Sequence, residues 1–183
     1  MSKEWWSEVT DIKEAKKRIL NAEFVPDDML KNINFDNKTV LDFGCGIGRN
    51  LKYLVTTSAE RIIGFDYPNM IELSKEFLLH EERSKILFMF PPLWALPNID
   101  IIIASLVFQH INDIYELTRY LHILNLYLNK NGTMYVNSRG YIDDGLGIIW
   151  KYILDYFTPI THLDDKDGTE NHQKVLFIKK GEL

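Results

Sequence analysis

The chain has 183 residues, 46% of them hydrophobic and 26% charged, a balance that supports one buried core and excludes a disordered chain. With 21 basic and 26 acidic side chains the formal charge is −5, which argues against a partner held through many phosphate contacts, so nucleic acid is not expected as a ligand. Cys45 is the only cysteine, which excludes an intramolecular disulfide and paired-thiolate zinc patterns and fits a reducing, cytoplasmic setting.

The opening Met-Ser-Lys-Glu-Trp-Trp lacks the charged-then-apolar pattern of a signal peptide. Val9, Ile12, Ala15, Ile19 and Leu20 recur at helical spacing among charged residues and predict an amphipathic covering helix. A second short helix is expected to start at Pro26, with Asp27 and Asp28 in its first turn. From residue 39 onward, runs rich in β-branched and aromatic residues at 39–43, 61–65, 86–90, 99–105 and 133–137 alternate with helical stretches at 49–56, 68–80, 111–128 and 145–156. The run from Ile101 to Phe108 is far shorter than the ~18 residues a membrane span needs, so no membrane partner is expected.

Strands apolar on both faces, separated by helices, signal a parallel sheet covered by helices. Asn129-Lys130-Asn131-Gly132 suits a helix stop. The tail then offers two strands with no helix between them, 157–163 and 173–179, joined by a polar loop over 164–171, and these should pair antiparallel.

The most informative segment is Asp42-Phe43-Gly44-Cys45-Gly46-Ile47-Gly48-Arg49-Asn50, a strand feeding a glycine turn that opens a helix. Such a turn lets backbone approach a ligand closely and presents unpaired N–H groups. A dinucleotide fingerprint places glycines at positions one, three and six, whereas Gly44, Gly46 and Gly48 stand at one, three and five. Asp42 adds a carboxylate that suits an ammonium group. Asp66, at the end of the second strand, stands where a carboxylate accepts hydrogen bonds from both ribose hydroxyls. Glycine loop and acid together point to an adenosine-type ligand.

On these residues, from about Thr39 to Lys180, the chain resembles the class I S-adenosyl-L-methionine-dependent methyltransferases. The resemblance implies an α/β fold: a single doubly wound, mostly parallel seven-stranded Rossmann-like sheet with a C-terminal antiparallel hairpin. It implies one methyltransferase domain over 1–183, with 1–36 as a helical lid and 37–183 as the cofactor-binding sheet. It further implies that S-adenosyl-L-methionine is held by Asp42, Phe43, Gly44, Cys45, Gly46, Gly48 and Asn50, and that Asp66 takes the ribose. Tyr67 and Met70 would lie near the adenine, and Ser105 and Leu106 at the fourth strand's end. One departure stands out, since the family often places an acid after the third strand for the adenine amino group and no Asp or Glu occurs between Glu82 and Asp100. Residues 87–90 are then the expected adenine wall. Pro91-Pro92 precedes the fourth strand, unlike the proline pair of amino-directed DNA methyltransferases.

Methyl transfer is an in-line displacement and needs a base only when the nucleophile must lose a proton. His110, just beyond the fourth strand, is the candidate base, or else it fixes its loop by hydrogen bonding, and Gln109 beside it shares both readings. Asp143 and Asp144 read as helix caps. Trp5-Trp6 either closes the cleft or packs on the sheet. No histidine and carboxylate cluster has metal-ligand spacing, so no metal is expected. The sequence thus reads as a small cytoplasmic methyltransferase acting on an oxygen or nitrogen of a small-molecule acceptor, the few residues outside the sheet being the argument for a small one. Two alternatives remain, a non-catalytic cofactor-binding module working through a protein partner and a nicotinamide-dependent oxidoreductase.

Overall fold

A computed structural model describes residues 13, 17, 28–92, 96–139, 147–165 and 172–179. Two units, Met1–Trp94 and Ala95–Leu183, are taken in turn.

In the first unit the short helix α1, Asp28–Lys31, buries Met29 and Leu30. Val40 to Phe43 in β1, Thr39–Phe43, and Ile62 to Phe65 in β2, Arg61–Phe65, are buried throughout, the mark of parallel strands covered on both faces. They pair in parallel from Thr39 opposite Arg61 to Phe43 opposite Phe65, and the two phenylalanine rings stack 5.3 Å apart. Parallel to β2 on its other side runs β3, Ile86–Met89. Between β1 and β2 the crossover helix α2, Arg49–Leu54, buries Leu51 and Leu54. The next crossover starts with α3, Pro68–Phe77, whose proline occupies the first turn where no N–H is needed.

The helix expected over 68–80 breaks at Leu78, which adopts an extended backbone and is buried. A separate turn, α4, His80–Arg83, follows, with Glu82 accepting the Leu79 N–H at 2.7 Å. The third strand ends at Met89 rather than Phe90. Lys13 and Lys17 are helical and exposed, while the rest of the 9–20 helix, Pro26, Asp27 and Trp5-Trp6 lie outside the described residues.

In the second unit β4, Ile99–Ser105, buries Ile99 and Ile101 to Ala104 and pairs in parallel with β5, Leu128–Arg139. A one-turn 3-10 helix, Phe108–His110, comes next. The helix α5 runs over Ile114–Tyr127, later than the expected 111–128, because Asp113 caps it by accepting the Tyr115 N–H at 2.9 Å. Leu117, Leu121 and Leu124 form its buried stripe. The helix stop expected at 129–132 is present, since α5 ends at Tyr127, and residues 129–132 then form a bulge within β5: Ile99 pairs with Leu128 but Ile101 with Thr133. Asn129 ties this bulge to the Asp100 carboxylate at 2.8 Å.

The helix α6, Gly147–Tyr156, lays Trp150 on Phe177 with ring centroids 6.2 Å apart. It leads into β6, Phe157–Asp165, and β7, His172–Lys179, which pair antiparallel, with β7 also antiparallel to β5. The expected α/β class, its parallel pairing and its terminal antiparallel hairpin are therefore present. Of the loop expected over 164–171, Asp164 and Asp165 belong to β6, and residues 166–171, like Asp143 and Asp144, fall outside the described residues.

Candidate active site

The sequence brings β1 into the glycine loop with Asp42 as the last polar residue of the strand. Gly44, Gly46 and Gly48 all hold positive φ, at 73°, 56° and 86°, a region that costs a residue with a Cβ roughly 1 kcal/mol or more. Two of these glycines have different further reasons. A Cβ on Gly48 would sit 2.5 Å from Ser74 Oγ, so α3 packs directly against the loop there. A Cβ on Gly46 would meet nothing within 4 Å, so that side of the loop faces open space. The loop is also fastened to β2: the Gly44 and Cys45 N–H groups donate to the Phe65 carbonyl at 2.8 and 3.0 Å, and the Gly48 N–H donates to the Cys45 carbonyl at 2.9 Å.

Asp66 completes the fastening. Its Oδ2 accepts the Gly46 N–H and its Oδ1 the Tyr67 N–H, both at 2.7 Å. Burial pushes its carboxyl up to about 6 despite these two N–H groups, which favour the charged form. Asp42 is fully buried; its Oδ1 accepts from Asn50 Nδ2 at 2.9 Å, while Oδ2 has no hydrogen-bond partner among the described residues. Burial, reinforced by the negative Asp66, pushes Asp42 up to about 7 against the opposing pull of Asn50 and Arg49. Burial and then the same two carboxylates push the Cys45 thiol well up, which leaves it a poor nucleophile. Burial lowers the Arg49 guanidinium, with Asp42 opposing the shift. An orphaned carboxylate oxygen at this depth is the feature a cationic ligand group would satisfy.

In the second unit the chain turns sharply where β4 ends. Leu106 holds φ 60°, and its N–H donates to the Asn137 carbonyl at 2.7 Å, which locks the residue after Ser105 to the end of β5. Phe108 is buried, and the partly exposed Gln109 and His110 follow, with Gln109 Nε2 3.4 Å from His110 Nε2. His110 therefore closes a 3-10 turn rather than opening the long helix.

The residues predicted in the first unit converge. Asp42, Gly44, Cys45, Gly46, Gly48, Asn50, Asp66 and Tyr67 share one hydrogen-bonded loop system, and Phe43 stacks beneath it on Phe65. Met70 is 1% exposed, a core residue of α3 in this structure. Ser105, Leu106 and His110 cluster at the strand end of the second unit. Sequence reasoning missed Ser74, whose fully buried hydroxyl has no partner among the described residues. Its signal was a small polar residue at helical spacing from Met70 and Ile71. It also missed the Asp42–Asn50 bond, for which the strand-to-helix spacing of eight residues was the available sign. Among the described residues no group of three His, Cys, Asp or Glu side chains is placed to hold a metal ion, and no helix is long and apolar enough to cross a membrane.

Comparison with known proteins adds the following. The family model for a methyltransferase domain matches residues 13–166. No curated protein matches the sequence. Among solved structures, a TehB-like SAM-dependent methyltransferase from Corynebacterium glutamicum is similar at 17% identity and a TM-score of 0.65, over 79% of this chain and 82% of that one. The PH0226 protein of Pyrococcus horikoshii is similar at 14% identity and a TM-score of 0.69, over 98% and 100%. Aeropyrum pernix fibrillarin with natively bound S-adenosyl-L-methionine is similar at 12% identity and a TM-score of 0.61, over 78% and 67%. At these identities the structures show a shared fold, the Rossmann-like methyltransferase architecture.

Proposed function

The chain belongs to the methyltransferase-domain family, enzymes that use S-adenosyl-L-methionine, and we propose that it moves the methyl group to an oxygen or nitrogen atom of a small-molecule acceptor. The observation that carries the cofactor assignment within this chain is the glycine loop fastened by Asp66 beside the buried Oδ2 of Asp42, which has no partner among the described residues. These residues fit the group: a buried anion suits an ammonium, open space in front of Gly46 suits a close-lying ligand, and Asp66 keeps acceptor capacity for hydroxyl donors beyond its two N–H bonds. When bound, the cofactor supplies a sulfonium-activated methyl group open to in-line attack.

The chain's own part is to bind, orient and handle a proton. Asp42 receives the ammonium, with Asn50 holding the carboxylate in place through Oδ1. Asp66 holds the ribose and, through Gly46 and Tyr67, ties loop and β2 end into one rigid support, so affinity and loop order depend on the same side chain. Ser105 and Leu106 form the strand-end edge toward the acceptor, with Leu106 fixed by its bond to Asn137. His110 is the residue assigned to take the acceptor's proton, because imidazole accepts protons near neutral pH and it stands at the carboxyl end of β4, the edge at which α/β sheets bind ligands.

A small acceptor is favoured over nucleic acid because the net charge of −5 opposes a polyphosphate partner. A screen with methyl-labelled cofactor tests the reading. Label should pass to hydroxyl- or amine-bearing small molecules; label that passes only to RNA or protein would overturn the acceptor assignment, and binding without any transfer would overturn the catalytic one.

A further inference from the structure

The glycine turn and α3 approach each other more closely than a side chain at the turn would allow. A Cβ on Gly48 would lie 2.5 Å from Ser74 Oγ and 3.3 Å from Leu78 Cδ1, so the hydrogen in its place points at the serine hydroxyl. That hydroxyl is fully buried and has no hydrogen-bond partner among the described residues. A buried hydroxyl without a partner costs stability, so hydrogen bonding does not account for the serine, whereas its size does. On the rest of α3, Met70, Ile71 and Leu73 are each at most 2% exposed. The helix is thus seated in the core, and bulk added at position 74 must be taken up by the turn.

Displacement of Gly48 reaches one end of the site and not the other. Gly48 caps α2, its carbonyl accepting the Lys52 N–H at 2.9 Å, and Asn50 in the first turn of that helix donates to Asp42 Oδ1 at 2.9 Å. At the other end the Asp66 carboxylate clasps the Gly46 and Tyr67 N–H groups, and a Cβ on Gly46 would meet nothing within 4 Å. We propose that Ser74 is a positioning residue: its hydroxyl acts as a spacer against Gly48 that fixes where α2 begins, and so holds the Asn50–Asp42 pair in place for the cofactor's ammonium without touching the ribose clasp at Asp66. The inference rests on the cofactor assignment above.

Titration calorimetry on the intact protein with S-adenosyl-L-homocysteine and with 5′-methylthioadenosine, which lacks the ammonium, reads the two ends separately. Ser74→Val, whose methyl groups are bulkier than the hydroxyl, is expected to weaken the first ligand about tenfold and the second by less than about twofold. Equal weakening of both ligands, or of neither, would overturn the proposal, because a variant that merely loosens the fold does not choose between them. Gly48→Ala supplies a second arm. Its loss of S-adenosyl-L-homocysteine affinity should be recovered by about fivefold or more when Ser74→Ala removes the hydroxyl that the new Cβ meets, whereas losses that simply add would overturn the proposal. Thermal melts accompany each variant. A Gly48→Ala protein too unstable to bind should refold when Ser74→Ala is added, and failure to refold would overturn the proposal as well. Failure of both ligands to bind the unmodified protein would instead refute the cofactor assignment, which separates the two outcomes.

Discussion

Asp42 gives the sharpest test of the loop's electrostatics. Its carboxyl is pushed up to about 7 from an ordinary 3.8, chiefly by burial. At pH 5.5 the unliganded protein therefore keeps this group almost wholly protonated, and a ligand ammonium that needs the carboxylate must first expel the proton. Each pH unit below the pKa costs about 1.4 kcal/mol, so at pH 5.5 the penalty is about 2 kcal/mol, or about thirtyfold in affinity, and by pH 7.5 it has nearly vanished. Asp66, at about 6, adds a smaller change of about fourfold over the same range, shared by any ligand that uses the ribose. Comparing S-adenosyl-L-homocysteine with 5′-methylthioadenosine, which lacks the ammonium, isolates Asp42. The affinity ratio between them should rise about thirtyfold from pH 5.5 to 7.5 in the unmodified protein and stay flat in Asp42→Asn. A ratio independent of pH, or one that changes equally in Asp42→Asn, would refute the reasoning.

The same carboxyls set the stability of the unliganded fold. Both have pKa values raised on folding, so the stability they contribute is complete below about pH 4 and is lost as pH rises through about 6 and 7. The thermal midpoint of the unliganded protein should accordingly fall between pH 5 and 7.5, and fall less in Asp42→Asn. Asp66→Ala should weaken cofactor-product binding by about 1.5–3 kcal/mol in calorimetry, with added loss of loop protection in hydrogen exchange at Gly46 and Tyr67. Gly48→Ala meets Ser74 Oγ as well as an unfavourable φ, so chemical denaturation should show a loss of about 1–3 kcal/mol, larger than for Gly46→Ala, whose Cβ has open space. His110→Ala should lower turnover by about 10²-fold or more while leaving cofactor affinity unchanged; equal activity with lowered stability would make the residue a loop support instead.

Much of this organisation was legible because each strand of the parallel part is apolar on both faces. The bounds of β1, β2 and β4 follow from runs such as Val40 to Phe43 and Ile101 to Ala104, bracketed by polar residues. The glycine loop was legible for a related reason, since only glycine takes three positive φ values within five residues at small cost. What escaped was determined by contacts distant in sequence. Leu106 holds a left-handed backbone that leucine gives no hint of, imposed by its bond to Asn137, 31 positions away. Asn129 to Gly132 do follow the end of α5 as their turn-like composition suggests, but that strand pairing on either side makes them a bulge within β5 was not legible. The break at Leu78, a buried residue on extended backbone, is not revealed by an amphipathic pattern running on to residue 80. Within the site, Asp66 was read as a ligand group alone, whereas its two backbone bonds make it a structural clamp as well.

The central claim is that Asp66 and the glycine loop hold an adenosyl cofactor. Calorimetric titration of the protein and of Asp66→Ala with S-adenosyl-L-homocysteine tests it most directly. Single-site binding that is strongly weakened in the variant is the predicted result. Equal binding by both proteins, or no binding by the unmodified one, would contradict it.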